Sequence, residues 1–144
     1  MVRSIARRAF PVLSWAYVAA LGVQVFFAGM YVFAGARNIE LHKNFAHVIG
    51  LLTILLVLSA FAGRIARADK RLTLAVVALL FAQGGLVHVH QFFNMPLVAA
   101  LHPVNALVLT WVSATLARRA AAYWTPITRS ASRQSVNGAE PAAA

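Results

Sequence analysis

Long apolar runs, separated by short polar or charged segments, dominate the chain. The first uncharged run extends from Val12 to Ala36, and the second, Asn44 to Gly63, contains 20 residues. The stretch from Leu72 to Ala117 has no Lys, Arg, Asp or Glu, and its 46 residues are about twice what one crossing needs. A turn is predicted inside this stretch at His90–Pro96, where polar side chains and a proline cluster. The pattern therefore predicts four transmembrane helices, over about residues 12–34, 43–63, 72–92 and 97–117.

The composition supports a lipid environment for these runs. Hydrophobic residues make up 61% of the 144 residues, charged residues 11%, and the mean hydropathy is +0.74. The 13 basic residues outnumber the 3 acidic ones, but they lie in short clusters between the apolar runs. Such clusters are typical of topology signals, whereas a nucleic-acid-binding face gathers its cations on one surface. The bilayer, and no nucleic acid, is the expected partner.

The basic clusters also predict the orientation of the chain. Lys and Arg are retained on the cytoplasmic side of a membrane, and 11 of the 13 lie in segments that alternate crossings place on one side. Only Arg37 and Lys43 lie on the other side. The predicted fold is an all-α, four-helix up-down bundle with both ends inside, in the cell inner (plasma) membrane. Its parts are a basic cytoplasmic N-terminus (1–11), a transmembrane domain (12–119) and a disordered cytoplasmic tail (120–144).

A cleaved signal peptide is the alternative interpretation of the first run. Ala34-Gly35-Ala36 is a small-residue sequence of the kind that precedes cleavage. The run is longer than the usual apolar region of a signal peptide, and further spans follow it. Both features favour a membrane span. No internal repeat is evident from the sequence.

Five histidines fall toward the outer side of the predicted bundle. Counted at about 1.5 Å per residue from the cytoplasmic ends, His47, His88 and His102 lie at one depth, roughly 22–24 Å up. His42 and His90 lie higher, near the outer headgroups. Polar groups within a bilayer are costly and usually functional, so this layer is a candidate site.

Neutral imidazole is a good ligand for haem iron, and two histidines on different helices can hold a haem within a bundle. A bis-histidine iron has no open position, which favours electron transfer. Orienting donors are expected among Asn105, Gln83, Tyr31 and Thr53. The alternatives are that histidines near helix ends are interfacial, that Gly84-Gly85 serves close helix packing, and that the Tyr17–Gln24–Tyr31 stripe makes interhelical hydrogen bonds.

Other chemistries have little support in the sequence. No acidic residue lies inside a predicted span, and there is neither a cysteine nor a Gly-x-Ser-x-Gly motif. These absences argue against an enzyme.

Two short segments carry a resemblance to known families. Glu40-Leu41-His42-Lys43 and Ala100-Leu101-His102-Pro103-Val104-Asn105 resemble segments of an uncharacterised family of small four-helix bacterial membrane proteins. The resemblance covers roughly residues 20–119. More distantly, the pattern is similar to one half of haem A synthase, which implies His42 and His102 as the haem-iron ligands and Glu40 as an accompanying acid. Here the acid lies two residues before the histidine rather than three, and Lys43 replaces an arginine.

The residues and the resemblance lead to one leading hypothesis and one alternative. The leading hypothesis is b-type haem held near the outer leaflet for electron transfer, with cofactor-binding residues drawn from His42, His47, His88 and His102. Depth favours His47 and the resemblance favours His42, with His42 and His102 as the metal ligands. The alternative is a non-catalytic scaffold or accessory subunit that packs on other membrane subunits or on a second copy of itself.

Overall fold

The computed structural model describes residues 1–124, and this part of the chain is almost entirely helical. Each of its four long segments is apolar enough to cross a membrane, with mean hydropathies from 1.6 to 2.3. By length and composition the chain is therefore a multi-pass membrane protein, as predicted. The helices are α1 (Val2–Ala34), α2 (Ile39–Ala62), α3 (Arg67–Phe93), the single turn α4 (Pro96–Ala99) and α5 (Leu101–Ala120), with short 3-10 turns at Ala36–Asn38 and Ala121–Tyr123.

The helix ends follow from local backbone chemistry. Gly35 ends α1 with a φ of 115°, a conformation that side-chain-bearing residues rarely adopt. Asn94 ends α3 in the left-handed region, and Pro96 starts the next helix with its ring-locked backbone. The turn predicted at His90–Pro96 is therefore confined to Asn94 and Met95, because α3 continues through Phe93.

The four long helices form a ring in the order α1, α2, α3, α5. Helix α1 packs on α2 and α5, and α3 packs on α5 and less extensively on α2. Within residues 1–124, α2 and α5 make no close backbone contact, and neither do α1 and α3. These two pairs therefore lie diagonally across the bundle, and only their side chains can meet in its interior.

Packing is unequal along the bundle. Phe10, Leu56, Val76 and Leu116 are among the fully buried residues, and all lie toward the end that carries the chain terminus Met1. We call this end the closed half. No described side chain between residues 22 and 48, or between 77 and 108, is buried. We call this region, which includes both of the loops at that end, the open half.

Small residues let the helices approach one another in the closed half. Ala60, Ala117 and Ala120 are fully buried, as expected at close helix contacts in membranes. At Gly63, just after α2, an added Cβ would lie 2.6 Å from the carbonyl oxygen of Ser59 and 2.9 Å from the backbone nitrogen of Arg7. Helix α1 therefore crosses α2 at a point that only glycine accommodates.

A polar network joins three helices in the closed half. Asp69, only 4% exposed, accepts hydrogen bonds from Arg119 Nε at 2.6 Å and from the Tyr123 hydroxyl. The Tyr123 ring also packs edge-on against Phe10, and the Arg7 guanidinium lies 4.7 Å from its centroid. The predicted tail began at residue 120, whereas Tyr123 is packed against the bundle. Residues 125–144 lie outside the described part of the chain.

Candidate functional site

Two of the five histidines meet inside the open half. The imidazole rings of His42, in the first turn of α2, and His102, in the first turn of α5, have centroids 6.4 Å apart and planes at 62°. Since α2 and α5 are diagonal, these rings face each other across the interior of the bundle. Both side chains are half-buried.

The tautomer of each ring follows from its hydrogen bonds. His42 Nδ1 lies 3.1 Å from the backbone oxygen of Gln24, and His102 Nδ1 lies 3.0 Å from the backbone oxygen of Gln83. A carbonyl oxygen only accepts, so each Nδ1 carries the hydrogen and each Nε2 keeps a lone pair. A histidine that donates through Nδ1 to a carbonyl is oriented as metal-ligating histidines are.

The same arrangement occurs twice in the chain. On the first hairpin, Gln24 of α1 donates its side-chain Nε2 to the backbone oxygen of His42 at 2.9 Å. On the second, Gln83 of α3 donates to the backbone oxygen of His102 at 3.0 Å. Each glutamine thus makes a reciprocal pair with the histidine of the next long helix, 18 or 19 residues along. The two hairpins contribute equivalent halves to one site.

The two halves differ in the hydrogen bonding of the glutamine, because the residue three positions after each histidine is not the same. In the second hairpin Asn105 donates through Nδ2 to Gln83 Oε1 and to the backbone oxygen of Leu79. In the first hairpin Phe45 occupies the corresponding position and packs against Phe27 instead. Gln24 Oε1 is consequently buried without a hydrogen-bond partner among the described residues.

This difference also changes what surrounds the two Nε2 atoms. Gln24 Nε2 lies 3.2 Å from His42 Nε2, so the amide hydrogen is directed at the lone pair of that imidazole. Gln83, held by Asn105, makes no such contact with His102 Nε2. The imidazole of the first half therefore has a protein partner at the atom that would bind a metal.

The other predicted histidines do not join this pair. His47 is exposed, and its Nδ1 bonds within α2 to the carbonyl oxygen of Asn44. His88 is exposed, bonds within α3 to the carbonyl oxygen of Gly84, and stacks on Phe92. His90 is exposed as well. Equal depth thus did not bring His47 and His88 to face His102.

The predicted orienting donors divide in the same way. Gln83 and Asn105 are part of the site, but Tyr31 is 43% exposed and Thr53 bonds to the carbonyl oxygen of Ile49 on its own helix. Gln24, which the sequence placed only in a polar stripe, is the orienting residue that was missed. Within residues 1–124 there is no cluster of three or more His, Cys, Asp or Glu that could hold a metal ion by itself.

Glu40, the acid implied by the resemblance to haem A synthase, lies outside the site. It is exposed and forms an ion pair with Lys43 at 3.0 Å, one turn along α2. Exposed pairs of this kind contribute little to stability.

Comparison with known proteins places the chain near one family. Residues 24–91, just under half of the chain, match a family of unknown function, DUF6220. The match begins at Gln24 and includes His42 and Gln83. It therefore covers three of the four residues of the two glutamine–histidine pairs, but not His102. No curated protein and no solved structure matches the chain, and the similarity to haem A synthase therefore rests on its short motif alone.

Proposed function

We propose that this protein is an up-down four-helix bundle of the inner membrane, with both ends in the cytoplasm, that binds one b-type haem between His42 and His102 and passes electrons through it. The observation that carries the proposal is the facing pair of imidazoles, each fixed in the same tautomer by a backbone carbonyl. His47 and His88 have no part in it.

The separation of the rings suits a metal held between them. Metal–imidazole nitrogen bonds are about 2.0–2.1 Å long, and adding the half-width of each ring puts opposed imidazole centroids about 6 Å apart. The observed 6.4 Å is close to this value. Because both Nε2 atoms keep their lone pairs, neither ring has to lose a proton before it coordinates.

The loose packing of the open half supports a flat ligand rather than an isolated ion. No described side chain in this half is buried, so a macrocycle bound by His42 and His102 would meet no tightly packed core there.

The two histidines would determine the chemistry. A haem iron held by His42 and His102 would have no open position, so the chemistry it would supply is one-electron transfer between ferric and ferrous states. The backbone carbonyls of Gln24 and Gln83 accept hydrogen bonds from both ligands. Such bonds raise the basicity of imidazole and favour the ferric form.

The test is the absorption spectrum of protein purified in detergent from haem-replete cells, before and after dithionite. We expect the narrow reduced bands of a low-spin, six-coordinate haem. His42→Ala and His102→Ala should each abolish that low-spin spectrum, whereas His47→Ala and His88→Ala, the matched controls on the same helix or at the same depth, should retain it. A colourless wild type that remains unchanged with added haemin refutes the proposal.

A non-catalytic scaffold is the alternative function. It is favoured by an open depression of about 490 Å³ on α3, lined by Leu80, Phe81, Gly84, Gly85 and His88, where a helix of another subunit can pack. Stoichiometric membrane partners that copurify with a colourless protein would support this alternative.

A further inference from the structure

From the difference between the two hairpins we infer that His42 is an exchangeable ligand, and that the reduced site binds a small neutral diatomic molecule in its place, while His102 stays bound. This inference rests on the proposed function, since it concerns the same pair of imidazoles. It assigns the two histidines different roles, which bis-histidine ligation alone does not.

The first step concerns the atom that would bind iron. His42 Nε2 has two competing partners, the iron and the Gln24 amide 3.2 Å away. The orientation of that amide is determined by its other contact, because its nitrogen lies 2.9 Å from the carbonyl oxygen of His42, which can only accept. Gln24 therefore presents a donor to His42 Nε2, and an imidazole that leaves the iron remains hydrogen-bonded.

The second step concerns the other half of the site. Asn105 donates to both Gln83 Oε1 and the carbonyl oxygen of Leu79, and it holds the Gln83 side chain in a closed network. Gln83 then donates to the backbone of His102 without approaching its Nε2. Within the described residues His102 Nε2 has no competing donor, so iron is its one available partner.

The third step explains why Gln24 is free to compete. Phe45 replaces the asparagine in the first hairpin, and Gln24 Oε1 is left buried and unpaired. Gln24 is therefore held only through its amide nitrogen, by the hydrogen bond to the His42 carbonyl oxygen, and that nitrogen stays beside His42 Nε2. In such an exchange the diatomic would replace His42 Nε2 as the ligand, and His42 Nε2 would accept a hydrogen bond from Gln24 Nε2, with no net electron or proton transfer.

Carbon monoxide is the probe for this exchange. The dithionite-reduced protein in detergent is titrated with carbon monoxide, and the shift of its main absorption band is recorded. We expect a saturable shift in the wild type. His42→Ala should retain haem through His102 and bind carbon monoxide at least tenfold more tightly, because no internal ligand competes.

Two variants test the part played by the glutamine. Phe45→Asn supplies the missing partner of Gln24 Oε1 and should weaken carbon monoxide binding about tenfold, the effect of one hydrogen bond in the exchanged state. Gln24→Leu removes the competing donor and should weaken binding similarly. Phe45→Leu, which changes the side chain without adding a donor, is the matched control and should bind as the wild type does.

The outcomes separate this inference from the proposed function. A colourless protein refutes both. A low-spin haem that does not respond to carbon monoxide overturns the exchange and leaves bis-histidine ligation standing. If carbon monoxide binds equally to the wild type, Phe45→Asn and Gln24→Leu, the assignment of His42 as the exchangeable ligand through Gln24 is wrong.

Discussion

Replacement of Gly63 by alanine should destabilise the closed half of the bundle. The added Cβ would lie 2.6 Å from the Ser59 carbonyl oxygen and 2.9–3.0 Å from the backbone nitrogen and Cα of Arg7. All three are backbone atoms, so no side chain can rotate away: α1 must move away from Gly63, and the last turn of α2 must distort at Ser59. Overpacking of this kind costs about 1–3 kcal/mol. Against a typical total stability of about 5–15 kcal/mol, that loss is readily measured.

The assay is reversible unfolding in detergent, followed by helical circular dichroism as denaturant increases. Gly50→Ala is the matched control, since a Cβ there would meet no atom within 4 Å. In that helix interior alanine is intrinsically better than glycine by about 1 kcal/mol. The two variants should therefore shift the midpoint in opposite directions. A Gly63→Ala protein as stable as Gly50→Ala would refute the close approach of α1 and α2.

Two further predictions concern the closed half and the orientation of the chain. Asp69→Asn removes the charge that Arg119 faces and should lower the unfolding midpoint. Glu40→Gln, which breaks an exposed ion pair, should leave the midpoint unchanged. Equal midpoints for the two variants would exclude a stabilising role for the Asp69 network. Because the chain has no cysteine, single substitutions Ala68→Cys and Gln91→Cys report sidedness directly. A membrane-impermeant thiol reagent should label Gln91→Cys in intact cells and Ala68→Cys only after lysis, and the reverse pattern would overturn the proposed orientation.

The helices could be predicted because their signal is carried by long runs of residues. Lipid contact requires about 20 apolar residues per crossing, and the charged connector Arg64–Arg71 interrupts the pattern sharply. The turn between α3 and α5 was visible from Asn94 and Pro96 for the same reason that the structure turns there. These residues adopt or impose backbone conformations that a continuous helix does not contain.

The direction in which each histidine side chain faces was harder to predict than its depth in the membrane. His42 and His47 are five residues apart, about 140° around a helix, so only one of them can point at the interior. The depth count favoured His47, but depth contains no information about rotation, which is determined by the contacts of α2 with α1. The structure turns His42 inward, where its Nδ1 reaches the backbone of Gln24.

The repeated glutamine–histidine pair is also visible in the sequence, but that pattern is too weak to support a prediction alone. Each hairpin has a glutamine on its first helix and Leu-His 17 to 18 residues later, at Leu41-His42 and Leu101-His102. Two matching pairs in an apolar chain are easily coincidental. Only the equivalent contacts of Gln24 and Gln83 show that the spacing corresponds to a repeated geometry. The role of Asp69 was missed because the sequence shows only a charge in a connector.

The two equivalent hairpins have a consequence for how such a site can diversify. If a single hairpin assembled as a two-fold symmetric dimer, both protomers would carry the same residue after the histidine, and both imidazoles would be held alike. Joining two hairpins in one polypeptide removes that constraint. A substitution such as Phe45 for asparagine can then alter one ligand while Asn105 preserves the other, so asymmetry arises from one codon without disturbing the shared scaffold.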